Sequence, residues 1–401
     1  MTGRSTSSPL LEDGSLLNRL RRIIDAFARR PDAVDGRSTV DAGPTALATG
    51  PKLMRLRTWL RAIVVQPHGR GAANQQADGA TPTASRAASD RDEAFDGRPP
   101  QTAGEFRDFT FTCDAGKRNY KLFLPTARPS QSMPLVVMLH GCKQTPDDLA
   151  IGTRMNDFAQ RDGFAVAYPA QSRGHNPSRC WNWFNPADQV RDRGEPAIIA
   201  GLTLELVRIH RFDAGRVYIA GLSAGGSMAL ILRTTYPELY AAVGVHSGVP
   251  PGIATGVRSA LAAMRNGAGR RADTIVTRDP PDAVSGVTPI IVFHGDADTT
   301  VNLDNATEAY SRSVRTGDIE NAPEGDVAHE VVKTNSVPGG HSYTRTSWAR
   351  AGGEAMAELW VVHGAGHAWS GGDRRGSFTD PLGPDATAEM LRFFYRHRIR
   401  R

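Results

Sequence analysis

From about residue 104 onward, short apolar runs alternate with segments of helical periodicity. Residues 106–111 and 120–124 read as a pair of strands. The run PLVVML (134–139) is continuously apolar, as in a strand buried on both faces. A helical segment over 148–161 precedes a strand at 164–168. A second helix over 195–210 precedes a strand at 216–220, and a further helix follows from residue 224. Strands are also expected at 241–245, 289–293 and 358–362, with helices near 302–315 and 384–397. Strand and helix alternating in this way predict an α/β fold, a mostly parallel sheet with helices on both faces.

The first hundred residues have a different texture. Leu16, Leu17, Leu20, Ile23, Ile24 and Phe27 fall at helical spacing among arginines, and Leu53, Leu56, Leu60 and Ile63 repeat the pattern. Residues 1–65 carry eleven basic and six acidic side chains, and the sequence between and after the two segments, ending in 80–101, is rich in Gly, Pro, Ala, Ser and Asp. Residues 1–103 are therefore expected to be a partly disordered extension, with two basic amphipathic helices and a flexible linker ahead of a catalytic domain over 104–401. The helices could dock on that domain or lie on a granule or membrane surface.

The 401-residue chain has a formal net charge of +6, and its basic residues are scattered. That bias favours solubility and does not mark a nucleic-acid binder. No stretch of 18 apolar residues predicts a transmembrane segment. The N-terminus lacks the basic-then-apolar order of a secretory signal, so a cytoplasmic protein is expected, with secretion as the alternative. Three cysteines are too few for a disulfide framework. One bridge can form, with Cys142–Cys180 as the candidate pair.

The most specific chemistry lies in GLSAGG (221–226), a G-x-S-x-G motif between a predicted strand and a predicted helix. This is the nucleophile turn of the α/β-hydrolase fold. Its glycines leave room where a Cβ would collide, and its serine, Ser223, sits beside the free N–H groups of a helix N-terminus. A serine hydroxyl needs a base within reach, and in this architecture the order is serine, acid, histidine. The strand at 289–293 runs into HGDADTTV (294–301), and that at 358–362 into HGAGHAW (363–369). Asp298 is preferred to Asp296 as the acid because it lies further into its loop. His367 is preferred to His363 as the base because the Gly-Ala-Gly turn before it can swing the imidazole back. His175, His246, His329 and His341 are assigned no partner and read as surface or core residues. LHGCKQ (139–144) follows the first buried strand, where the fold places its second oxyanion donor, so the N–H groups of Cys142 and Ala224 are the expected pair. Neither a metal nor an organic cofactor is required.

LHGCKQ, CWNWF (180–184), GLSAGGSMA (221–229), HGDADTTVN (294–302) and GAGHAWSGG (364–372), in this order, resemble the polyhydroxybutyrate depolymerase family of esterases, itself similar to feruloyl and acetylxylan esterases. The resemblance spans about 106–397. It implies Ser223, Asp298 and His367 as a triad and Cys142 as an oxyanion residue. It also implies an ester substrate: poly(3-hydroxybutyrate) or its oligomers or, alternatively, feruloyl, acetyl or other short-chain esters. Trp181, Trp183, Phe184 and Trp369 are expected to grip an apolar ester chain. The alternative outside catalysis is a granule-associated protein on a retired hydrolase scaffold.

Overall fold

The computed structural model describes residues 104–127, 132–267, 288–319, 329–350 and 353–399. The expected N-terminal helices and linker over 1–103 lie outside them. Five strands carry the centre: β3 (Leu135–Leu139), β4 (Ala165–Pro169), β5 (Val217–Leu222), β6 (Ala242–His246) and β7 (Ile290–Gly295). Every residue of all five is buried, which is why their sequences are apolar nearly throughout instead of alternating, with His246 and His294 at strand ends. With β10 (Ala355–Val362) they form a parallel block in the order β4-β3-β5-β6-β7-β10.

Antiparallel strands extend both edges. β1 (Glu105–Cys113) and β2 (Gly116–Leu124) join next to β4, while β9 (Ser342–Ala349) and β8 (His329–Ser336) join next to β10. The result is a ten-stranded mixed sheet of the α/β-hydrolase fold. Every residue of β8 is exposed, so no apolar periodicity announces it, and the sequence reading does not contain this hairpin.

Helices flank the sheet. The expected single helix at 148–161 is two, α1 (Pro146–Thr153) and α2 (Met155–Asp162), broken at Arg154 with φ 56°. The Thr153 hydroxyl donates to Leu149 O at 2.7 Å and accepts from Met155 N at 3.3 Å, which replaces backbone bonding at the break. The remaining helices are α3 (Gly194–His210), α4 (Ala224–Thr235), α5 (Val257–Asn266), α6 (Asp304–Ile319) and α7 (Ala386–Phe394). The apolar face of α7 meets the sheet where β6 has Gly244; a Cβ there would stand 2.7 Å from Met390 Sδ. Phe394 stacks on Tyr218 of β5, with 5.0 Å between centroids. Because β5, β6, β7 and β10 are parallel, the loops after them open at one edge of the sheet, the edge at which such folds place their chemistry. A two-stranded ladder, β11 (Trp369–Ser370) with β12 (Thr379–Asp380), closes over that edge.

Candidate active site

Ser223 joins β5 to α4 with φ 57° and ψ −118°, a conformation unfavourable for a residue with a Cβ. Its neighbours enforce it. A Cβ on Gly225 would lie 2.0 Å from Leu139 O, and one on Gly221 would lie 2.3 Å from the Gly225 carbonyl carbon. The turn therefore fits only with glycine at both places. The Ser223 N–H donates to His246 O at 2.8 Å, which pins the turn to the end of β6.

The loop after β7 folds around Asp298. Its Oδ1 accepts N–H groups from Thr300 at 2.8 Å and Val301 at 2.9 Å, and its Oδ2 accepts from His367 Nδ1 at 2.7 Å. The Asp298 side chain is 1 % exposed and that of His367 12 %. Burial alone would raise the carboxyl's pKa; the hydrogen bond and charge of His367, with His294 and the Val301 N–H, outweigh it and hold Asp298 at about 2. An ionised carboxylate only accepts, so Nδ1 carries the proton and Nε2 of the neutral ring is free to act as a base.

Two further histidines support this pair: His246, which the sequence reading leaves as a surface or core residue without a partner, and His294, to which it assigns no role. His294 is fully buried; its Nε2 donates to Val301 O at 2.8 Å and lies 3.5 Å from Asp298 Oδ2. Burial is the largest influence on its pKa and lowers it, against the opposing pull of the Asp298 carboxylate and the Val301 carbonyl. His246 is held at about 3, chiefly by burial. Its ring stacks between Phe293 and Trp369, and Nε2 accepts from Ser370 N at 3.0 Å. One residue thus fixes the nucleophile turn through its carbonyl and the histidine loop through its ring.

Acid and base are joined directly, whereas the Ser223 hydroxyl forms no hydrogen bond among the described residues. Contacts of this kind commonly tighten only when substrate binds. Asp296 and His363, the competitors set aside above, pair with each other: His363 Nδ1 donates to Asp296 Oδ2 at 2.8 Å, and Gly364 N donates to Oδ1 at 2.7 Å. His341 pairs with Asp380 at 3.0 Å.

Cys142 and Cys180 form a disulfide, so Cys142 is no thiol nucleophile. Its loop abuts the serine turn; a Cβ on Gly141 would lie 3.5 Å from the Ser223 Cβ. Neither Cys142 N nor Ala224 N donates to a protein acceptor among the described residues, as an oxyanion donor requires. Gln144 braces the loop, accepting Gly141 N at 2.9 Å. His140, held at about 4 chiefly by burial, donates from Nδ1 to Gly141 O and accepts Gln171 N on Nε2.

The aromatic group needs correction. Trp181 and Trp369 are fully buried, and their indole N–H groups are satisfied by His140 O and the Thr387 hydroxyl. Trp183 is also buried, against the edge of Phe184. Trp181, against His140, and Trp369, against His246, are walls behind the site and offer no surface to a substrate; of the four, only Phe184 is partly exposed. Phe378, absent from the sequence reading, is a partly exposed ring beside His367, with centroids 6.5 Å apart. It sits in a loop with no apolar periodicity, and no motif points to it.

The pattern of the family described as esterase PHB depolymerase matches residues 118–333, more than half of the chain. A poly(3-hydroxyalkanoate) depolymerase C of Paucimonas lemoignei is 32 % identical over 62 % of this chain and 58 % of its own length. A feruloyl esterase B of Thermothelomyces thermophilus is 31 % identical over 45 % of this chain and 64 % of its own. The chain thus spans less than two thirds of these relatives. An acetyl xylan esterase structure from Aspergillus awamori covers 73 % of the chain with a TM-score of 0.55 at 21 % identity, a likeness of fold. With its serine turn, its buried aspartate–histidine pair and this match, the chain belongs to the esterase PHB depolymerase family.

Proposed function

We propose that this protein is a serine carboxylic-ester hydrolase that cleaves poly(3-hydroxybutyrate) or its oligomers through an acyl-enzyme. The observation that carries the reading is the buried 2.7 Å link from His367 to Asp298, on loops that open at the same sheet edge as the strained Ser223 turn. His367 Nε2 takes the Ser223 proton as the hydroxyl oxygen attacks the ester carbonyl. The N–H groups of Cys142 and Ala224 receive the oxyanion, and each such donor contributes about 3 kcal/mol to the transition state. The C–O bond breaks, and the alkoxide takes the proton from the imidazolium. Water then repeats both steps on the acyl-enzyme.

The polymer substrate is supported by the depolymerase relative, while the feruloyl esterase relative supports small esters as the second reading. The Cys142–Cys180 bridge favours an oxidising compartment over the cytoplasm, since such bonds persist where thiols are not kept reduced. Clearing of an amorphous poly(3-hydroxybutyrate) suspension, measured beside hydrolysis of p-nitrophenyl butyrate, tests the proposal. Both activities are expected, and Ser223→Ala should lower them on the order of 10⁶-fold. Activity on the soluble ester alone moves the assignment to a small-ester hydrolase; retained activity in Ser223→Ala removes the serine mechanism.

A further inference from the structure

The Ser377–Thr379 segment is tied to both functional loops. Ser377 N donates to Asp148 Oδ1 at 2.8 Å, and its hydroxyl donates to Asp148 Oδ2. Ser377 O accepts Gln144 Nε2 at 3.0 Å, and the other end of that amide holds Gly141 beside Cys142. On the opposite side, Phe378 O accepts Trp369 N at 2.7 Å, two residues beyond His367. Phe378 is thus suspended between the oxyanion loop and the histidine loop. Its φ is 55°, a left-handed conformation that a bulky aromatic residue rarely adopts. Such strain persists only where surrounding bonds over-determine the backbone, and it clusters at ligand clamps. The bonds on both sides of Phe378 supply that constraint, and its ring stands nearly perpendicular to that of His367, at an interplanar angle of 79°.

We infer that Phe378 selects the alcohol portion of the ester. This rests on the serine-hydrolase reading. When the acyl C–O bond breaks, its electron pair stays on the leaving oxygen, and the proton on His367 Nε2 moves to that oxygen. The leaving oxygen therefore lies beside the imidazole, and an apolar ring bordering the imidazole meets the carbon chain attached to that oxygen. The acyl carbons lie beyond the carbonyl, away from this contact. The chemical class favoured is an ester whose alcohol part is apolar and extended, as in a hydroxyalkanoate chain, or aromatic.

The test compares benzyl with methyl butyrate, which differ only in the alcohol, and p-nitrophenyl butyrate with p-nitrophenyl acetate, which differ only in the acyl chain. Phe378→Gly suits the positive φ but removes a ring packed in part against the core, so a thermal melt checks that the fold is retained. In this variant the benzyl-over-methyl ratio of kcat/KM should fall about tenfold or more, with the acyl ratio unchanged. Phe378→Leu, which keeps apolar bulk, should fall in between. An alcohol ratio equal to that of the wild type, in a Phe378→Gly protein whose Ser223 still reacts with a fluorophosphonate, overturns the inference. Absence of that reaction in the wild-type protein overturns instead the serine mechanism on which it rests.

Discussion

Two aspartate–histidine pairs cross between the same two loops, Asp298 with His367 and Asp296 with His363, at nearly equal lengths of 2.7 and 2.8 Å. They differ in their surroundings. The side chains of the first pair are 1 % and 12 % exposed, those of the second 35 % and 37 %. In the buried pair the charge interaction is screened little, and Asp298 has no water to replace His367 as a donor. In the exposed pair solvent can serve either partner. His363 Nε2 also meets the Thr344 hydroxyl on β9 at 2.9 Å, so its ring is committed to the neighbouring strand. The hydrogen bond is thus the same in kind, and burial together with the fate of the second ring nitrogen sets His367, the proposed base, apart from His363.

The comparison can be broken at its strongest point first. His367→Ala should lower ester hydrolysis by roughly 10⁵-fold or more, because members of such a unit fail together. Asp298→Asn should cost about 10⁴-fold, since an amide that donates to Nδ1 favours the wrong tautomer. Asp296→Asn removes an exposed pair worth at most about 1 kcal/mol, so steady-state kinetics should show less than a tenfold loss. Equal losses in the two aspartate variants would erase the distinction drawn here.

The smallest effect expected is on stability in acid. Asp298 is depressed from its ordinary value to about 2, so its contribution is complete above about pH 4 and is lost as pH falls from there toward 2. His140 and His246 are depressed to about 4 and about 3, and they stay neutral in the fold while the unfolded chain takes up protons below about pH 6.5. That difference favours unfolding as pH falls, so thermal midpoints should decline by several degrees between pH 6.5 and 4. Asp298→Asn should leave this upper part of the profile in place and flatten the part below pH 4. Midpoints constant from pH 6.5 to 4 would contradict the neutral, buried state assigned to the two histidines.

The parallel block was legible in the sequence because strands buried on both faces are apolar nearly throughout, and IIVF of β7 and LVVML of β3 stand out against their surroundings. The serine turn was legible for a steric reason: only glycine fits beside Leu139 O. The choice of Asp298 and His367 over Asp296 and His363 rested on loop position, and the structure supplies what the sequence lacked, the exposure of each pair. Local patterns failed where tertiary contacts decide the outcome. The exposed β8 has no apolar face, the helix break falls on Arg154, neither glycine nor proline, and Phe378 takes its place from its bond to Trp369 and from the bonds of Ser377 to residues more than 200 positions away. The tryptophans misled because an aromatic residue carried by a motif can equally become the wall behind the site. The indole N–H groups of Trp181 and Trp369, satisfied inside the protein, mark those two as framework.

The central claim is that the imidazole of His367 activates the Ser223 hydroxyl. The most direct measurement is the rate of fluorophosphonate attachment, with the modified residue located by peptide mass spectrometry, in the wild-type protein and in His367→Ala. The account predicts a single adduct on Ser223, formed orders of magnitude more slowly in the variant. An adduct on another residue, or an equal rate in the two proteins, would contradict it.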